Sequence, residues 1–339
     1  MPRHYFRSIV VAAATWLGPL AGAAAPTPVP ATASASSQLT LKVTPSRVRP
    51  GDALLVTLEG VPGSVAPLTS GTIRPATLAP GHPPAETTTR RLRFFPAAGG
   101  VQAVVALPVE ADPGKLEIEV RLPDRGATLT AAVEVVDPRF PEAQLSVEPK
   151  FISPSPEQKK RMEEDQAAFR EAFARPFEPP IFAGAFTRPR DSNVTGAFGE
   201  KRMFNGKKQS QHYGTDLAGA VGEPVRATND GVVVLARDCF ASGKSIAIAH
   251  GAGVFSVYFH LSDIDVRHGD AVRQGQVIGK VGATGRVTGP HLHFGIKVND
   301  LYVDPDSVYR LAFATSGTGP GTGPASTGAD RTSGTATGP

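Results

Sequence analysis

Cysteine is almost absent from this sequence, because its 339 residues contain only Cys239. A single cysteine excludes an internal disulfide, so we predict cores that form without covalent cross-links and a buried, inert Cys239 thiol. It also excludes a site built from several thiolates, which leaves histidine and carboxylate ligands for any metal. Tryptophan and tyrosine are scarce too, with one and five residues, whereas 36 glycines and 32 prolines favour turns and short strands.

The sequence also has little excess charge and no long apolar run. The formal net charge of +4 is small for this length, and no basic stretch is interleaved with aromatics, so nothing indicates nucleic-acid binding. The N-terminal apolar run covers about residues 9–20, whereas a membrane-spanning helix needs about 20 residues. Arg3 and Arg7 before this run and small residues at 21–23 after it are typical of a secretory signal peptide. We expect an exported protein without a lipid anchor in the mature form, since no cysteine stands directly after the cleavage site.

Strand and turn patterns fill most of the chain. Short alternating stretches such as "LTLKV" and "KLEIEVRL", separated by turns such as "ADPGK", predict a β-sandwich that resembles bacterial immunoglobulin-like modules. A second Gly-rich region with short strands such as "SIAIAH" and no helical period predicts a compact all-β domain. The predicted fold class is therefore mainly β.

One helix is predicted between the two β regions. Ser155 can cap it, Pro156 suits its first position, and Gln158 completes a capping box. The sequence thus predicts, in order, a signal peptide over 1–25, a linker over 26–37, the immunoglobulin-like sandwich over 38–137, a linker with a helix at 156–174 over 138–181, the all-β domain over 182–313 and a disordered tail over 314–339.

Six of the eight histidines lie in the second β region, and two of them form the H-x-H of "TGPHLHFGI". In a strand, His291 and His293 project to the same face, whereas Leu292 and Phe294 point the other way, into a core. Two histidines on one face can also be half-exposed residues of an edge strand. Further ligand-type residues at suitable positions decide between the two interpretations.

Such residues are present in "QHYGTDLAG", where His212 and Asp216 are four apart and share one face of an extended segment. A catalytic zinc takes three protein ligands and leaves one position for water. We therefore predict His212, Asp216 and one of the H-x-H pair as ligands. The other histidine of the pair would stand beside the water as an acid–base group, and His260, at a strand end, is a second candidate for that role.

These motifs resemble the M23 metallopeptidases, also called LytM or lysostaphin-type endopeptidases, over about residues 194–305. "HYGTDLAG", "VFSVYFHLSD" and "TGPHLHFGI" carry the resemblance. It implies that His212, Asp216 and His293 bind zinc, and that His260 and His291 are catalytic without binding the metal. The implied fold is a Gly-rich all-β LytM-type domain, and the implied activity is hydrolysis of peptide cross-links in bacterial peptidoglycan by a zinc-activated water.

The other histidines of this region receive simpler predictions. His250, near a strand end, is predicted to be structural, and His268, in a turn, is predicted to be exposed. The expected binding partners are the stem peptides and cross-bridges of peptidoglycan. No lysin motif is present, which favours a periplasmic enzyme that cuts D-Ala–diaminopimelate cross-links over a secreted glycyl-glycine enzyme.

Two alternative functions and one regulatory hypothesis remain. The chain can be an M23-like regulatory module that binds and activates another cell-wall hydrolase, but the intact ligand set argues against this. A non-haem iron oxygenase also uses two histidines and one carboxylate, but the signal peptide and the second pair of histidines argue against it. The sandwich offers a surface for a protein partner. We also hypothesise that residues 150–190 cross the catalytic groove and lower activity until displaced.

Overall fold

The computed structural model describes residues 38–75, 90–206 and 208–315. The predicted signal peptide, the first linker and the chain from residue 316 onwards lie outside these residues. No helix in the described ranges is both long and apolar enough to span a membrane. The fold is mainly β, as predicted.

In these ranges the chain forms 23 strands, two α-helices and three short 3-10 helices. The first strands are β1 (Thr40–Thr44), β2 (Arg47–Val48), β3 (Ala53–Glu59), β4 (Ser70–Pro75), β5 (Arg90–Leu92), β6 (Phe95–Ala97), β7 (Gly100–Ala106), β8 (Gly114–Leu122) and β9 (Ala127–Val135). The later strands are β10 (Glu142–Leu145), β11 (Val194–Gly196), β12 (Lys201–Phe204), β13 (Lys208–Gln211), β14 (Thr215–Ala218), β15 (Pro224–Arg226), β16 (Gly231–Cys239), β17 (Gly243–Gly251), β18 (Val254–Leu261), β19 (Asp263–Ile264), β20 (Ala271–Val272), β21 (Val277–Lys280), β22 (His291–Val298) and β23 (Leu301–Val303). The helices are α1 (Pro156–Phe173) and α2 (Pro305–Tyr309), with 3-10 helices at Gly63–Leu68, Pro123–Arg125 and Pro149–Phe151.

Strands β1–β9 form two sheets around one hydrophobic cluster. One sheet has the order β1-β3-β7-β6 and the other the order β2-β9-β8-β4-β5. Val56 in the first sheet and Ile118 and Val120 in the second are fully buried in the cluster between them. Two packed sheets are thus present where a sandwich was predicted, and the immunoglobulin likeness stays a prediction.

The two central strands of the first sheet, β3 and β7, are buried on both faces. In β3, Leu54 and Leu58 belong to the cluster between the two sheets, whereas Leu55 belongs to the core of the C-terminal region. In β7, Val105 belongs to the cluster between the two sheets and Val104 to the core of the C-terminal region. Because side chains alternate along a strand, each strand supplies two cores at once, which explains the nearly unbroken apolar runs "ALLV" and "AVVA".

Hydrogen bonds join the two regions beside this shared sheet. The Ala53 N–H donates to Ser307 Oγ at 2.8 Å, and the Ala98 N–H donates to the Ala314 carbonyl at 2.7 Å. The prediction of a disordered tail from residue 314 is therefore wrong at its start, because Ala314 pairs with the sandwich.

The segment predicted to be a linker, residues 138–181, is packed against the rest of the chain. β10 runs parallel to β12 and completes a three-stranded sheet with β13. The predicted capping box of α1 is confirmed, since the Gln158 N–H donates to Ser155 Oγ and the Ser155 N–H donates to Gln158 Oε1. The helix ends at Phe173, one residue before the predicted end.

Helix α1 lies on the face of the sheet that also carries the candidate site. Its Asp165 is buried and accepts hydrogen bonds from Arg237 Nε at 3.0 Å and from the Phe240 N–H at 2.7 Å. Its Phe169 packs edge-on against Phe259 of β18, with ring centroids 5.5 Å apart. The helix thus supports both the chain that follows β16 and the aromatic residue next to the site.

The C-terminal region is built on an eight-stranded sheet, whose main path has the order β11-β14-β22-β18-β17-β16-β20. The face of this sheet opposite α1 and the candidate site packs into a core that includes Leu292, Phe294 and Tyr258, each at most 1% exposed. The predicted all-β character is interrupted by α2, which Asp304 caps by accepting from the Asp306 N–H. Cys239 is buried, as predicted.

His250 is a structural histidine, as predicted, within a buried hydrogen-bond network. Its Nδ1–H donates to the Asp230 carbonyl at 2.7 Å, and its Nε2 lies 2.8 Å from Ser256 Oγ. Ser256 Oγ in turn lies 3.0 Å from the Tyr258 hydroxyl. Burial lowers the pKa of His250 to about 4, because the hydrogen bond to the Asp230 carbonyl and the charge of Asp230 only partly offset the desolvation of an imidazolium there.

We expect this histidine to make the fold less stable in mild acid. Its pKa is about 6.5 when unfolded and about 4 when folded, so the unfolded chain binds the proton first. The stabilisation is fully present above pH 6.5 and is lost as the pH falls towards 4, by up to about 3 kcal/mol. Urea unfolding at intervals from pH 7 to pH 4.5 measures this slope. His250→Gln should reduce this slope by the amount that corresponds to uptake of about one proton on unfolding. An equal slope in both proteins would contradict the assignment.

Candidate active site

Three adjacent strands bring the predicted site residues together. β22 lies between β14 and β18, with Asp216 directly opposite His293 in one pair and Phe259 opposite His293 in the other. Residues directly opposite in a sheet share one face. Asp216 and His293 therefore point to the same side, and His212 reaches them from the turn between β13 and β14.

Three polar atoms of these residues form a small triangle. His212 Nε2 lies 3.1 Å from Asp216 Oδ1 and 3.0 Å from His293 Nδ1, and the third edge, from His293 Nδ1 to Asp216 Oδ1, is 3.0 Å. His212 and Asp216 are 4% and 7% exposed. All three of the predicted metal ligands are thus brought together at one point.

Backbone groups around the triangle fix the orientation of its members. His212 Nδ1 lies 2.8 Å from the Ala197 carbonyl, which can only accept, so Nδ1 carries a proton and Nε2 faces the triangle. A Cβ at Gly214 would lie 2.6 Å from His293 Nε2, so only glycine fits against that ring. These contacts hold both imidazoles in the geometry that a metal ligand requires.

The second carboxylate oxygen of Asp216 is held by a cation. Arg202 donates to Asp216 Oδ2 at 2.7 Å through one nitrogen and to Glu200 Oε2 at 2.7 Å through Nε. Burial raises the pKa of Asp216, but hydrogen bonds with His212 and His293 outweigh it and leave that pKa far below its usual range. Asp216 therefore stays ionised and offers Oδ1 to the triangle.

The two predicted acid–base histidines stand beside the triangle. His291 Nε2 lies 3.6 Å from Asp216 Oδ1, and the ring centroids of His260 and His291 are 5.0 Å apart. Each donates its Nδ1–H to a backbone carbonyl at 2.9 Å, His260 to Thr284 and His291 to Gly289. Both Nε2 atoms are therefore left to exchange protons with a bound molecule.

His260 and His293 are held in their neutral forms. Burial lowers the pKa of His260 to about 3 and that of His293 to about 4. His260 also has a left-handed backbone, with φ of 63°, which is uncommon outside glycine and is found at functional sites. The His293 ring stacks on Phe259 with 6° between the planes, so α1 supports it through Phe169 and Phe259.

A groove of about 600 Å³ opens onto the triangle and both further histidines. Ala143, Leu145 and Val147, from the segment predicted to be a linker, form part of one wall. None of residues 150–190, all of which the structure describes, lines this groove. The hypothesis that they cross it is therefore wrong, because α1 packs beside the site instead.

Sequence reasoning missed several charged and aromatic residues of this groove. Glu200, Arg202 and Phe204 line it at every second position of one short segment, and Arg286 lines it from the turn before β22. The period of two in "EKRMF" is the signal that could have found the first three. Arg286 gave no such signal, since it lies in a turn.

The three triangle residues are suited to hold a metal ion. A carboxylate oxygen and an imidazole lone pair at about 3 Å repel one another unless a proton or a cation lies between them. Zinc bonds of about 2.0–2.2 Å in tetrahedral geometry place ligand atoms about 3.3 Å apart, close to the observed edges of 3.0–3.1 Å. Among the described residues, these three form the group that can hold an ion.

Comparison with known proteins agrees with this geometry. The sequence model of "Peptidase family M23" matches residues 210–305, a range that contains the triangle and both further histidines. These residues are an M23 peptidase domain. The match begins after β10, α1 and β12, which pack around the matched residues but lie outside this range.

Named relatives are similar over about a third of the chain. The peptidoglycan DD-endopeptidase ShyA of Vibrio cholerae is 43% identical over 118 residues, which are 34% of this chain and 27% of ShyA. The DD-carboxypeptidase/endopeptidase Mpg of Neisseria meningitidis is 45% identical over 97 residues, 29% of this chain and 22% of Mpg. The chain thus spans about a quarter of the length of the curated relatives it matches.

One solved structure matches beyond the M23 domain. A Pseudomonas aeruginosa protein assigned to peptidase M23 superposes with a TM-score of 0.55 at 29% identity. The match covers 77% of this chain and 94% of that one. The likeness therefore extends over much more of the fold than residues 210–305.

Proposed function

We propose that this protein is a zinc metalloendopeptidase that hydrolyses peptide cross-links of bacterial peptidoglycan. One observation carries the proposal: two imidazoles, His260 and His291, stand beside a complete His–Asp–His triangle, and within the described residues neither Nε2 atom makes a hydrogen bond. A module that only binds a partner needs neither the triangle nor the second pair.

In this proposal His212, Asp216 and His293 hold the metal, and His260 and His291 move protons. A bound zinc ion lowers the pKa of a coordinated water and polarises a carbonyl. His291 and His260 keep Nδ1–H on backbone carbonyls, so each can accept a proton at Nε2 and return it from the same atom to the departing amine. Arg202 holds the second carboxylate oxygen of Asp216, which leaves Oδ1 turned towards the site.

The relatives guide the proposed substrate. ShyA is named a peptidoglycan DD-endopeptidase and Mpg a DD-carboxypeptidase/endopeptidase, whereas a further relative, ALE-1 of Staphylococcus capitis, is named a glycyl-glycine endopeptidase at 44% identity over 92 residues. We assign this protein to the first group, with the D-Ala–diaminopimelate cross-link as its substrate. Export to the periplasm, carried by residues 1–25, is part of the proposal.

Digestion of purified peptidoglycan tests this function. Zinc-loaded protein is incubated with sacculi of D-Ala–diaminopimelate type and, in parallel, with sacculi that carry glycine bridges, and the products are identified by mass. Loss of cross-linked dimers from the first alone is expected, and chelation should stop it until zinc is restored. Absence of products from both would overturn the proposal, and activity seen only when another wall hydrolase is added would replace it with the regulatory function.

The role of the N-terminal region is a further part of the proposal. We propose that residues 38–137 are an immunoglobulin-like sandwich whose sheet β2-β9-β8-β4-β5 presents its outer face to a protein partner. The other sheet is less suited to that purpose, because both faces of its central strands β3 and β7 are buried.

A further inference from the structure

Arg286 is a cation in the catalytic groove without an anionic partner. Among the described residues no carboxylate forms an ion pair with it, and its guanidinium makes no hydrogen bond. The pKa of Arg286 is lowered, first by burial and second by the nearby positive charge of Arg202. No carboxylate contributes to raising it. A half-buried arginine in an accessible groove normally has a partner, so the missing partner points to a ligand.

The guanidinium of Arg286 is nevertheless held in a defined place. It lies over the ring of Phe204 at 4.7 Å from the centroid, which leaves the N–H groups at its edge available. The backbone N–H of Arg286 donates to the Ala241 carbonyl at 2.8 Å. Two residues earlier in the chain, the Thr284 carbonyl accepts a hydrogen bond from His260. The same turn therefore positions both the cation and a catalytic histidine.

The charges that line the groove favour an anion at this point. They are Glu200, Arg202, Asp216 and Arg286, which sum to zero. Arg202 is already paired with both carboxylates, so Arg286 is the charge left over. A divalent ion on the triangle adds two positive charges, so the loaded groove has a net charge of about +2 when its histidines are neutral.

A planar guanidinium with free edge N–H groups matches a carboxylate in particular, because two parallel hydrogen bonds can form between them. In a D-Ala–diaminopimelate cross-link, the carbon that bears the scissile nitrogen also bears a free carboxylate. The same holds for a terminal D-Ala–D-Ala bond, whereas the residue after the cut in a glycine bridge continues as an uncharged peptide.

We propose that Arg286 binds the free α-carboxylate of the residue on the leaving side of the scissile bond, and thereby selects cross-links whose leaving residue carries that charge. The proposal rests on the function proposed above and names the group of the substrate that the groove reads. Arg286 is then a specificity-determining residue that takes no part in the proton transfers.

The test uses two synthetic cross-linked peptides that differ at one group, with either a free carboxylate or a carboxamide on the leaving diaminopimelate. For the zinc-loaded full chain, we expect kcat/KM to be about 10- to 100-fold lower on the carboxamide peptide, because a charge-assisted hydrogen bond contributes about this factor to binding. R286Q should lower kcat/KM on the carboxylate peptide by a similar factor and leave the carboxamide peptide within about twofold. R286K, which keeps the charge without the planar fork, should fall between the two.

Arg273→Gln is the matched control, because it removes an exposed positive charge of the same domain that does not line the groove. It should leave both substrates unaffected. An equal loss on both peptides in R286Q would mean that Arg286 only supports the fold, and equal rates of the unchanged protein on both peptides would also overturn the proposal.

Binding separates failure of this proposal from failure of the proposed function. If neither peptide is cut, the proposed hydrolysis is wrong, and calorimetric titration of the same two peptides into the zinc-loaded protein still decides the role of Arg286. Tighter binding of the carboxylate peptide that R286Q abolishes supports the proposal. Equal affinity for both peptides contradicts it.

Discussion

His212→Ala, Asp216→Ala and His293→Ala should each lose both bound zinc and hydrolysis. Each substitution removes one corner of a triangle whose edges are 3.0–3.1 Å, and two remaining ligands cannot complete a three-ligand site. A metal ion supplies several kcal/mol of transition-state stabilisation, so we expect activity to fall by at least about 10³-fold. Metal analysis of the purified variants and digestion of sacculi measure the two effects.

His268→Ala is the matched control for these variants, since it removes an exposed histidine of the same domain that does not line the groove. This variant should have the zinc content and the rate of hydrolysis of the wild-type protein. Full zinc occupancy in any of the three triangle variants would remove that residue from the set of ligands.

His291→Ala and His260→Asn should instead keep zinc and lose most of the rate. Their Nε2 atoms are placed to move protons, and a positioned acid–base group contributes about 10²–10⁴-fold. Asparagine is the suitable replacement at 260, because it tolerates the left-handed backbone that His260 adopts. The measurement is kcat on a cross-linked peptide at equal zinc content and equal melting temperature.

These two variants also distinguish catalytic from ligating histidines. His291 Nε2 is only 3.6 Å from Asp216 Oδ1, so it is the nearest rival to His293 as a ligand. Loss of zinc from His291→Ala would assign it to the metal, and a near-normal rate in either variant would refute that residue's role in proton transfer.

Alternation along single strands made the centre of the site predictable. A period of two fixes which side chains of the H-x-H in β22 share a face, but the M23 resemblance was needed to choose His293 as the ligand, and His212 reaches Asp216 from a turn and not along one extended segment. The structure shows the expected outcome, with His293 on the site face and Leu292 and Phe294 in the core. The start of α1 was predictable for a similar reason, since a capping box is local to four residues.

Contacts between distant segments were not predictable in this way. The parallel pairing of β10 with β12 joins residues about 60 positions apart, and no local pattern reports such a partner. Arg202 and Arg286 look like ordinary surface arginines in the sequence. Only the folded chain shows that Arg202 is neutralised by Glu200 and Asp216, whereas no carboxylate in the described part of the chain pairs with Arg286.

The sheet formed by β1, β3, β7 and β6 has a consequence for how this chain can evolve. The apolar residues of β3 and β7 are divided between two cores, with Leu54 in that of the sandwich and Leu55 in that of the catalytic region, so a substitution in either strand affects the packing of one region or the other. Exchange of the catalytic region for that of another protein would leave an apolar sheet face uncovered. We therefore expect the two regions to evolve together as one unit, and not as independent domains that can be exchanged between proteins.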